Sequence, residues 1–225
     1  MIPGADTYDM LGGQSFDCRV CGRSWRSHTG RTKCEQACLG IAGLNPHPPV
    51  RGFERLANLL GKIECDVYEG LPSAVKMAGN LPYDHGRAIF VGNGGSAAIA
   101  SHMALDWTKA AHIPSLCFND LASLTAWAND EGYDQVFARP IAAQCYKADL
   151  LFAISSSGES ASILNAVAAA RAKEMRVITL SGFKPDNRLR SLGDLNFYVP
   201  SDRYGLVEVA HHAILHSILD EVMAR

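Results

Sequence analysis

The sequence predicts an α/β protein with a doubly wound parallel sheet flanked by helices on both faces. From residue 89 onward, short apolar segments alternate with helical ones. Each apolar segment is hydrophobic throughout, which is typical of a parallel strand buried on both sides. Polar loops follow two of these segments, at 92–96 and 155–160. Because ligands in such folds bind beyond the carboxyl ends of the strands, both loops mark a predicted binding site.

The elements are predicted in order from hydrophobic period and turn residues. Apolar residues at helical spacing predict one or two helices over 51–61 and 63–77. The predicted strands are the apolar segments 89–91, 115–118, 149–154, 176–180 and 196–199. The later predicted helices begin at Ser96 or cover 121–128, 163–173 and 206–223.

Residues 1–50 differ in composition from the rest, and we predict that they form a small Cys-rich arm attached to a domain over 51–225. The arm lacks a clear helical or strand period, and three prolines within 45–49 mark a linker. Two close cysteine pairs match the ligand spacing of a structural zinc site. The pairs are Cys18 with Cys21 and Cys34 with Cys38. The alternative is a loose arm whose cysteines are incidental.

Composition excludes several classes of partner. The formal charge of −2 gives no electrostatic reason to expect nucleic acid. No apolar run approaches the roughly 20 residues that span a bilayer, so we expect no membrane association. The first residues contain neither the basic nor the apolar segment of a secretory signal. We therefore expect a cytoplasmic protein whose cysteines stay reduced.

The loop at 92–96 joins a buried strand to a helix and is rich in glycine. Glycine adopts left-handed backbone angles without steric cost, so such a loop can turn tightly. It presents backbone N–H groups and the positive end of a helix dipole, which together bind anions. In the following helix, His102 and Asp106 are four residues apart and project from one face. This combination predicts a site for a phosphorylated molecule, with acid–base or metal chemistry beside it.

A dinucleotide site is the main alternative for this loop. Residues 92–97 fit the fingerprint G-x-G-x-x-A, and Asp120 lies near where a ribose-binding acid is expected. The second polar loop argues against a dinucleotide, because such a site has no second loop of this kind. That loop carries the hydroxyl groups of Ser155, Ser156, Ser157 and Ser160. A compact ring of hydroxyl and N–H groups suits a single phosphate, and the alternative is a polar turn that caps the next helix.

The last predicted helix carries further side chains that can bind a metal. They are Glu208, His211, His212 and His216. Glu208, His212 and His216 are spaced at four residues and share one face, whereas His211 points elsewhere. Together with His102 and Asp106 they predict a mixed His/carboxylate site, typical of zinc or another divalent transition metal. The alternative is a hydrogen-bonded surface cluster on two helices.

These motifs resemble the sugar isomerase (SIS) domain family and, within it, the phosphoheptose isomerases. The resemblance covers about residue 51 to residue 225. It rests on motifs in family order, namely GNGGS at 92–96, ND at 119–120, ANDEG at 128–132, ISSSGES at 154–160 and the last helix. The serine loop is typical of the whole family, and the pairs His102/Asp106 and Glu208/His216 indicate the isomerase.

The resemblance implies a set of site residues. The implied substrate-binding residues are Asn93, Gly94, Ser96, Asp120, Ser155, Ser156, Ser157 and Ser160, with the serines on the phosphate. The implied metal ligands are His102, Asp106, Glu208 and His216. Asp106 stands where the family usually has Glu, and Glu208 stands where it has Gln. An extra carboxylate favours a divalent metal, while a shorter base reaches its substrate proton less well.

The resemblance also implies a reaction and an assembly. The implied reaction converts D-sedoheptulose 7-phosphate to D-glycero-D-manno-heptose 7-phosphate through an enediol, in a homotetramer. Asp106 is the expected base and His216 the expected acid. Two alternatives stay open at this point. One is an isomerase of another sugar phosphate, and the other is a non-catalytic SIS module that binds a phosphosugar or a protein.

Overall fold

The structure, a computed structural model, describes residues 16–17, 24–25, 51–62, 64–65 and 70–224. The chain divides into two units, Met1–Arg55 and Leu56–Arg225, and each is described by itself. In the smaller unit, strands β1 (Phe16–Asp17) and β2 (Ser24–Trp25) pair antiparallel. The cysteines proposed as zinc ligands, Cys18, Cys21, Cys34 and Cys38, and the linker 45–49 lie outside the described residues.

A six-stranded sheet is the centre of the larger unit. Its strands are β3 (Glu64–Cys65), β4 (Ala88–Gly92), β5 (Ser115–Cys117), β6 (Leu150–Ser155), β7 (Arg176–Ser181) and β8 (Leu195–Tyr198). They lie in the order β3-β8-β7-β6-β4-β5, and β4 to β8 are all parallel. Strands β4 and β6 are buried along their whole length, because their residues are apolar on both faces. The predicted α/β class with a doubly wound parallel sheet is confirmed.

Seven helices surround or extend this sheet in the described residues. They are α1 (Arg51–Leu60), α2 (Gly70–Gly79), α3 (Gly95–Ala110), α4 (Leu121–Glu131), α5 (Ala138–Gln144), α6 (Ala161–Ala172) and α7 (Tyr204–Met223). Apolar residues of α2, α3 and α7 form a core with one face of the sheet. Those of α5 and α6 form a second core with the other face. Alternate residues of β4 divide between the two cores, with Phe90 in the first and Ile89 and Val91 in the second.

The prediction of a helix over 63–77 is wrong in its first part. Glu64–Cys65 form the edge strand β3, which pairs antiparallel with β8, and helix α2 begins only at Gly70. The pairing partner of β3 lies more than 130 residues further along the chain, so a local hydrophobic period could not indicate it. The short helix α5 was also not predicted.

The order of the strands determines where a ligand can bind. From β4, the chain passes to β5 on one side and then returns to β6 on the other. The register places Gly92 opposite Ile154, so the loops that follow β4 and β6 begin side by side. In doubly wound sheets, ligands bind at this reversal of strand order. Among the described residues, no helix is long and apolar enough to cross a membrane.

Candidate active site

A cavity of about 220 Å³ opens at the reversal of strand order between β4 and β6. Its wall combines the glycine turn after β4, the serine loop after β6 and the first turns of helix α7. The lining residues are Asn93, Gly94, Gly95, Ser96, Ile154, Ser155, Ser156, Ser157, Ser160, Tyr204 and Glu208. Seven of the eight residues expected at the substrate therefore line one cavity.

The glycine turn begins helix α3 without a side-chain cap. Gly94 has a φ of 55°, in the left-handed region that favours glycine. At Gly92, a methyl group would press on the backbone of Ser96, so the strand can approach the helix only without a side chain. The turn therefore brings the N-terminus of α3 to the cavity wall, where its N–H groups and dipole favour an anion.

The serine loop is wound tightly after β6. Gly158 has a φ of 67°, and its N–H donates to the carbonyl and the hydroxyl of Ser155. The hydroxyl of Ser156 is buried and has no hydrogen-bond partner among the described residues. A buried hydroxyl without a partner costs about 1–3 kcal/mol, which a ligand at the cavity wall would recover.

A segment after β7 supports the serine loop, although it carries no motif from which this contact could be predicted. Asn187 is buried and packs against Gly158, where a methyl group would collide with the Asn187 amide. Leu189 N–H donates to the Gly158 carbonyl at 3.0 Å. Arg188 donates from its backbone N–H and from Nε to the carboxylate of Glu159, both at 2.8 Å. The segment after β7 therefore holds the serine loop in place.

Asn93 is held in place by two hydrogen bonds. Its Nδ2 donates to Ser162 Oγ at 2.9 Å, and its Oδ1 accepts from the Tyr133 hydroxyl at 3.0 Å. Asp120, by contrast, lies outside the cavity wall. It is the N-cap of helix α4, and its carboxylate accepts from Ser123 N–H at 2.9 Å. The structure therefore assigns Asp120 a capping contact rather than one with the cavity.

Three histidines meet where α3 packs beside α7. Their potential ligand nitrogens, one each from His102, His212 and His216, all lie within 4.8 Å of one another. The ring centroids of His212 and His216 are 4.7 Å apart, and that of His102 lies 5.0 Å and 5.5 Å from them. We call these three residues the histidine cluster.

The two carboxylates expected among the metal ligands lie in different places. Asp106 is half-buried, and its Oδ2 lies 3.0 Å from His102 Nε2. Glu208 belongs to the cavity wall, where a methyl group on Gly95 would collide with its carboxylate. Asp106 thus lies at the histidine cluster, whereas Glu208 lies over the glycine turn.

The residues of the cluster fit a divalent metal. His212 Nε2 is buried without a hydrogen-bond partner in the described part of the chain. Burial lowers the pKa of His212, and the neighbouring His216 and His102 lower it further. This environment favours the neutral imidazole, which is the form that binds zinc and similar ions.

His211 has a different, structural environment. It is fully buried, and its Nε2 lies 3.1 Å from the carbonyl of Ser181 in β7. Burial lowers its pKa to about 4, so it is neutral near pH 7. His211 therefore ties α7 to the sheet and points away from the histidine cluster.

Comparison with known proteins agrees with this site. A sequence model of the SIS domain matches residues 53–182, more than half of the chain. The phosphoheptose isomerase of Helicobacter pylori is 35% identical over 162 residues, which cover 68% of this chain and 84% of that protein. That of Aromatoleum aromaticum is 34% identical over 190 residues, covering 78% and 93%. The chain belongs to the phosphoheptose isomerases of the SIS domain family.

Solved structures place this SIS-domain chain in the same fold. The phosphoheptose isomerase of Neisseria gonorrhoeae aligns over 85% of this chain and 99% of its own, with a TM-score of 0.67 and 27% identity. That of Francisella tularensis aligns over 78% and 92%, with the same TM-score and 29% identity. The glycine turn and the serine loop both lie within the matched SIS region. The histidine cluster also needs α7, which lies beyond it.

Proposed function

We propose that this chain is an aldose–ketose isomerase that converts D-sedoheptulose 7-phosphate to D-glycero-D-manno-heptose 7-phosphate. The observation that carries the proposal is the arrangement at the strand reversal. A cavity built from two phosphate-type loops lies between β4 and β6, and α3 and α7 form its neighbouring wall. These two helices bring a histidine cluster and a carboxylate together on the same face of the sheet.

The phosphate group of the substrate belongs, in this proposal, at the serine loop. Ser155, Ser156 and Ser157 offer hydroxyls to the cavity, and the hydroxyl of Ser156 is without a partner in the described residues. The N-terminus of α3, with Ser96 in its first turn, faces the same space. Neutral donors and a helix dipole bind a phosphate without a lysine or arginine on the cavity wall.

The reaction moves one proton between neighbouring carbons. A base removes a proton from C1 of the ketose while an acid protonates the oxygen on C2, which gives the enediol. The base then gives its proton to C2 while the acid residue takes back the proton of O1, so that C1 becomes the aldehyde. We assign the base to Asp106 and the acid to His216, because both lie at the histidine cluster where α3 and α7 meet. In this assignment His216 would hold the metal in the resting enzyme and carry the proton once substrate is bound.

A divalent metal such as zinc is part of this proposal. Residues of α3 and α7 would hold it. His102 and His216 belong both to the ligand set that the family pattern implies and to the histidine cluster. When bound, such an ion supplies positive charge that stabilises the negative charge developing on the substrate oxygens. The contribution of the chain is to hold the imidazoles of the histidine cluster close together beside the cavity.

A homotetramer also belongs to the proposal. Leu105 on α3 and Val209 on α7 are large apolar side chains that are 61% and 49% exposed in the single chain. Both lie near residues of the candidate site in sequence, so burying them between copies would place the site close to a subunit interface. Light scattering on the purified protein measures the assembly directly.

Turnover measures the proposed function. Purified protein supplied with zinc is expected to convert sedoheptulose 7-phosphate to the aldose. Chromatography of the sugar phosphates measures this conversion. In deuterated water, a reaction through the enediol incorporates deuterium at C2 of the product. If the protein converts a different ketose phosphate and not sedoheptulose 7-phosphate, the proposed substrate is wrong and the other sugar phosphate takes its place. Binding of sugar phosphate without any conversion would favour a non-catalytic SIS module.

A further inference from the structure

The mixed ligand set that the family pattern implies does not match the positions of the side chains in this chain. Glu208 and His216 are eight residues apart on α7, which is a rise of about 12 Å. His212 lies between them on the same face, one turn before His216. The potential ligand nitrogens of His102, His212 and His216 lie within 4.8 Å of one another, whereas the Glu208 carboxylate lies against Gly95 at the start of α3.

We infer that this chain binds its metal through His102, His212 and His216, and that Glu208 is a residue of the sugar cavity. The inference rests on the proposed function, since it concerns the metal of that same site. It makes His212 a ligand at a position outside the set His102, Asp106, Glu208 and His216.

The contacts of His212 carry the first half of the inference. Its Nε2 is buried and has no hydrogen-bond partner among the residues that the structure describes. A buried imidazole nitrogen without a partner is costly, whereas a metal ion satisfies it. Nitrogens bound to one zinc ion lie roughly 3.4 Å apart, because each Zn–N distance is about 2.0–2.1 Å. The three nitrogens lie within 4.8 Å of one another, so binding one ion would bring them closer by at most about 1.4 Å.

The position of Glu208 carries the second half. Its carboxylate lies against Gly95 at the start of α3, on the wall shared with the serine loop. His102, in contrast, lies two helical turns further along α3 and belongs to the cluster. Glu208 is therefore placed to accept hydrogen bonds from sugar hydroxyls, which a carboxylate does well.

The two ligand sets differ in charge. Three neutral histidines leave a divalent ion with its full charge of +2, whereas ligation by two carboxylates would cancel it. Three protein ligands also leave an open coordination position, as in catalytic zinc sites. In the inferred arrangement, Asp106 lies 3.0 Å from a ligand histidine and stays available as a base.

Metal content of the full chain tests this inference independently of turnover. Chelator-treated protein is reloaded with zinc, dialysed and analysed for metal per chain in four forms. These are the wild type, His212→Ala, Glu208→Ala and His112→Ala. Alanine is used at 208 because glutamine could itself bind a metal. His112 is an exposed histidine just beyond the end of α3 and serves as the control for loss of an imidazole.

We expect His212→Ala to contain one zinc fewer per chain than the wild type, and the other two variants to match the wild type. Because each variant is compared with the wild type, zinc bound elsewhere in the chain cancels from the difference in zinc content. Cobalt(II) loading gives a second readout, since loss of a nitrogen ligand changes the visible absorption and loss of Glu208 should not. His212→Leu, of closer volume, replaces His212→Ala if the latter melts early by circular dichroism.

Retention of zinc in His212 variants, or loss of zinc in Glu208→Ala, overturns the inference. Failure of the proposed function is distinguished by the separate turnover assay. A wild type that binds zinc through the three histidines but converts no heptose phosphate would refute the function and leave the ligand set standing. A wild type that converts heptose phosphate but needs Glu208 to bind zinc would refute the ligand set and leave the function standing.

Discussion

Glu208 gives the cavity a negative charge whose effect on phosphate binding can be worked out. A volume of about 220 Å³ corresponds to a sphere roughly 7 Å across, which limits the separation between the carboxylate and a phosphate in the same cavity. For charges of −1 and −2 at about 7 Å, even the dielectric of water gives a repulsion of about 1.2 kcal/mol. Glu208→Gln removes this repulsion while keeping the shape of the side chain.

Glu208→Gln is therefore expected to bind inorganic phosphate roughly sevenfold more tightly than the wild type at a pH where phosphate is a dianion. Calorimetric titration of metal-free protein at low salt measures the two dissociation constants. The difference should shrink as salt is added, because ions screen the repulsion. Glu174→Gln is a matched control, since Glu174 is an exposed carboxylate paired with Lys147 and lies outside the cavity wall. Equal or weaker phosphate binding by Glu208→Gln would refute the placement of this carboxylate in the cavity that holds the phosphate.

Three further predictions concern the loops and the cysteine arm. Ser155→Ala with Ser157→Ala should weaken substrate binding by about 1.5–3 kcal/mol per hydroxyl and leave the fold intact by circular dichroism; unaltered affinity would place the phosphate elsewhere. Gly158→Ala should lower the melting temperature, because its φ is 67° and the new methyl group meets Asn187; Gly205→Ala, with open space around it, is the control. Replacing Cys18 and Cys21 by serine should remove one zinc per chain, and unchanged zinc content would favour incidental cysteines.

Local pattern was sufficient to predict the centre of the fold. The segments at 89–91 and 149–154 are short and almost wholly apolar, which is typical of strands buried on both sides, and they correspond to β4 and β6 with each end within one residue. The loops that follow them are glycine-rich and serine-rich, and each begins at a strand end. Because parallel strands end at the same edge of a sheet, the sequence was enough to predict that these loops meet.

What the sequence could not indicate depends on contacts between distant segments. The support of Gly158 by Asn187 joins residues of two different strand ends, and neither carries a recognisable motif. Asp120 has the spacing of a ligand-binding acid, yet its carboxylate is used by the backbone of its own helix. Glu208 and His212 share a face of α7, so helical period alone could not divide them between the cavity and the cluster. That division is decided by the packing of α7 beside α3.

With a metal at the proposed site, the packing of α3 beside α7 would also link metal supply to the stability of the fold. His102 and His216 are 114 residues apart in sequence, so an unfolded chain would rarely bring them together. An ion that binds both therefore binds the native state selectively, and it shifts the folding equilibrium by mass action. At a free metal concentration 100 times the dissociation constant, this linkage adds about 2.7 kcal/mol to the free energy of unfolding. Metal starvation would then lower the amount of folded enzyme as well as the activity of each molecule.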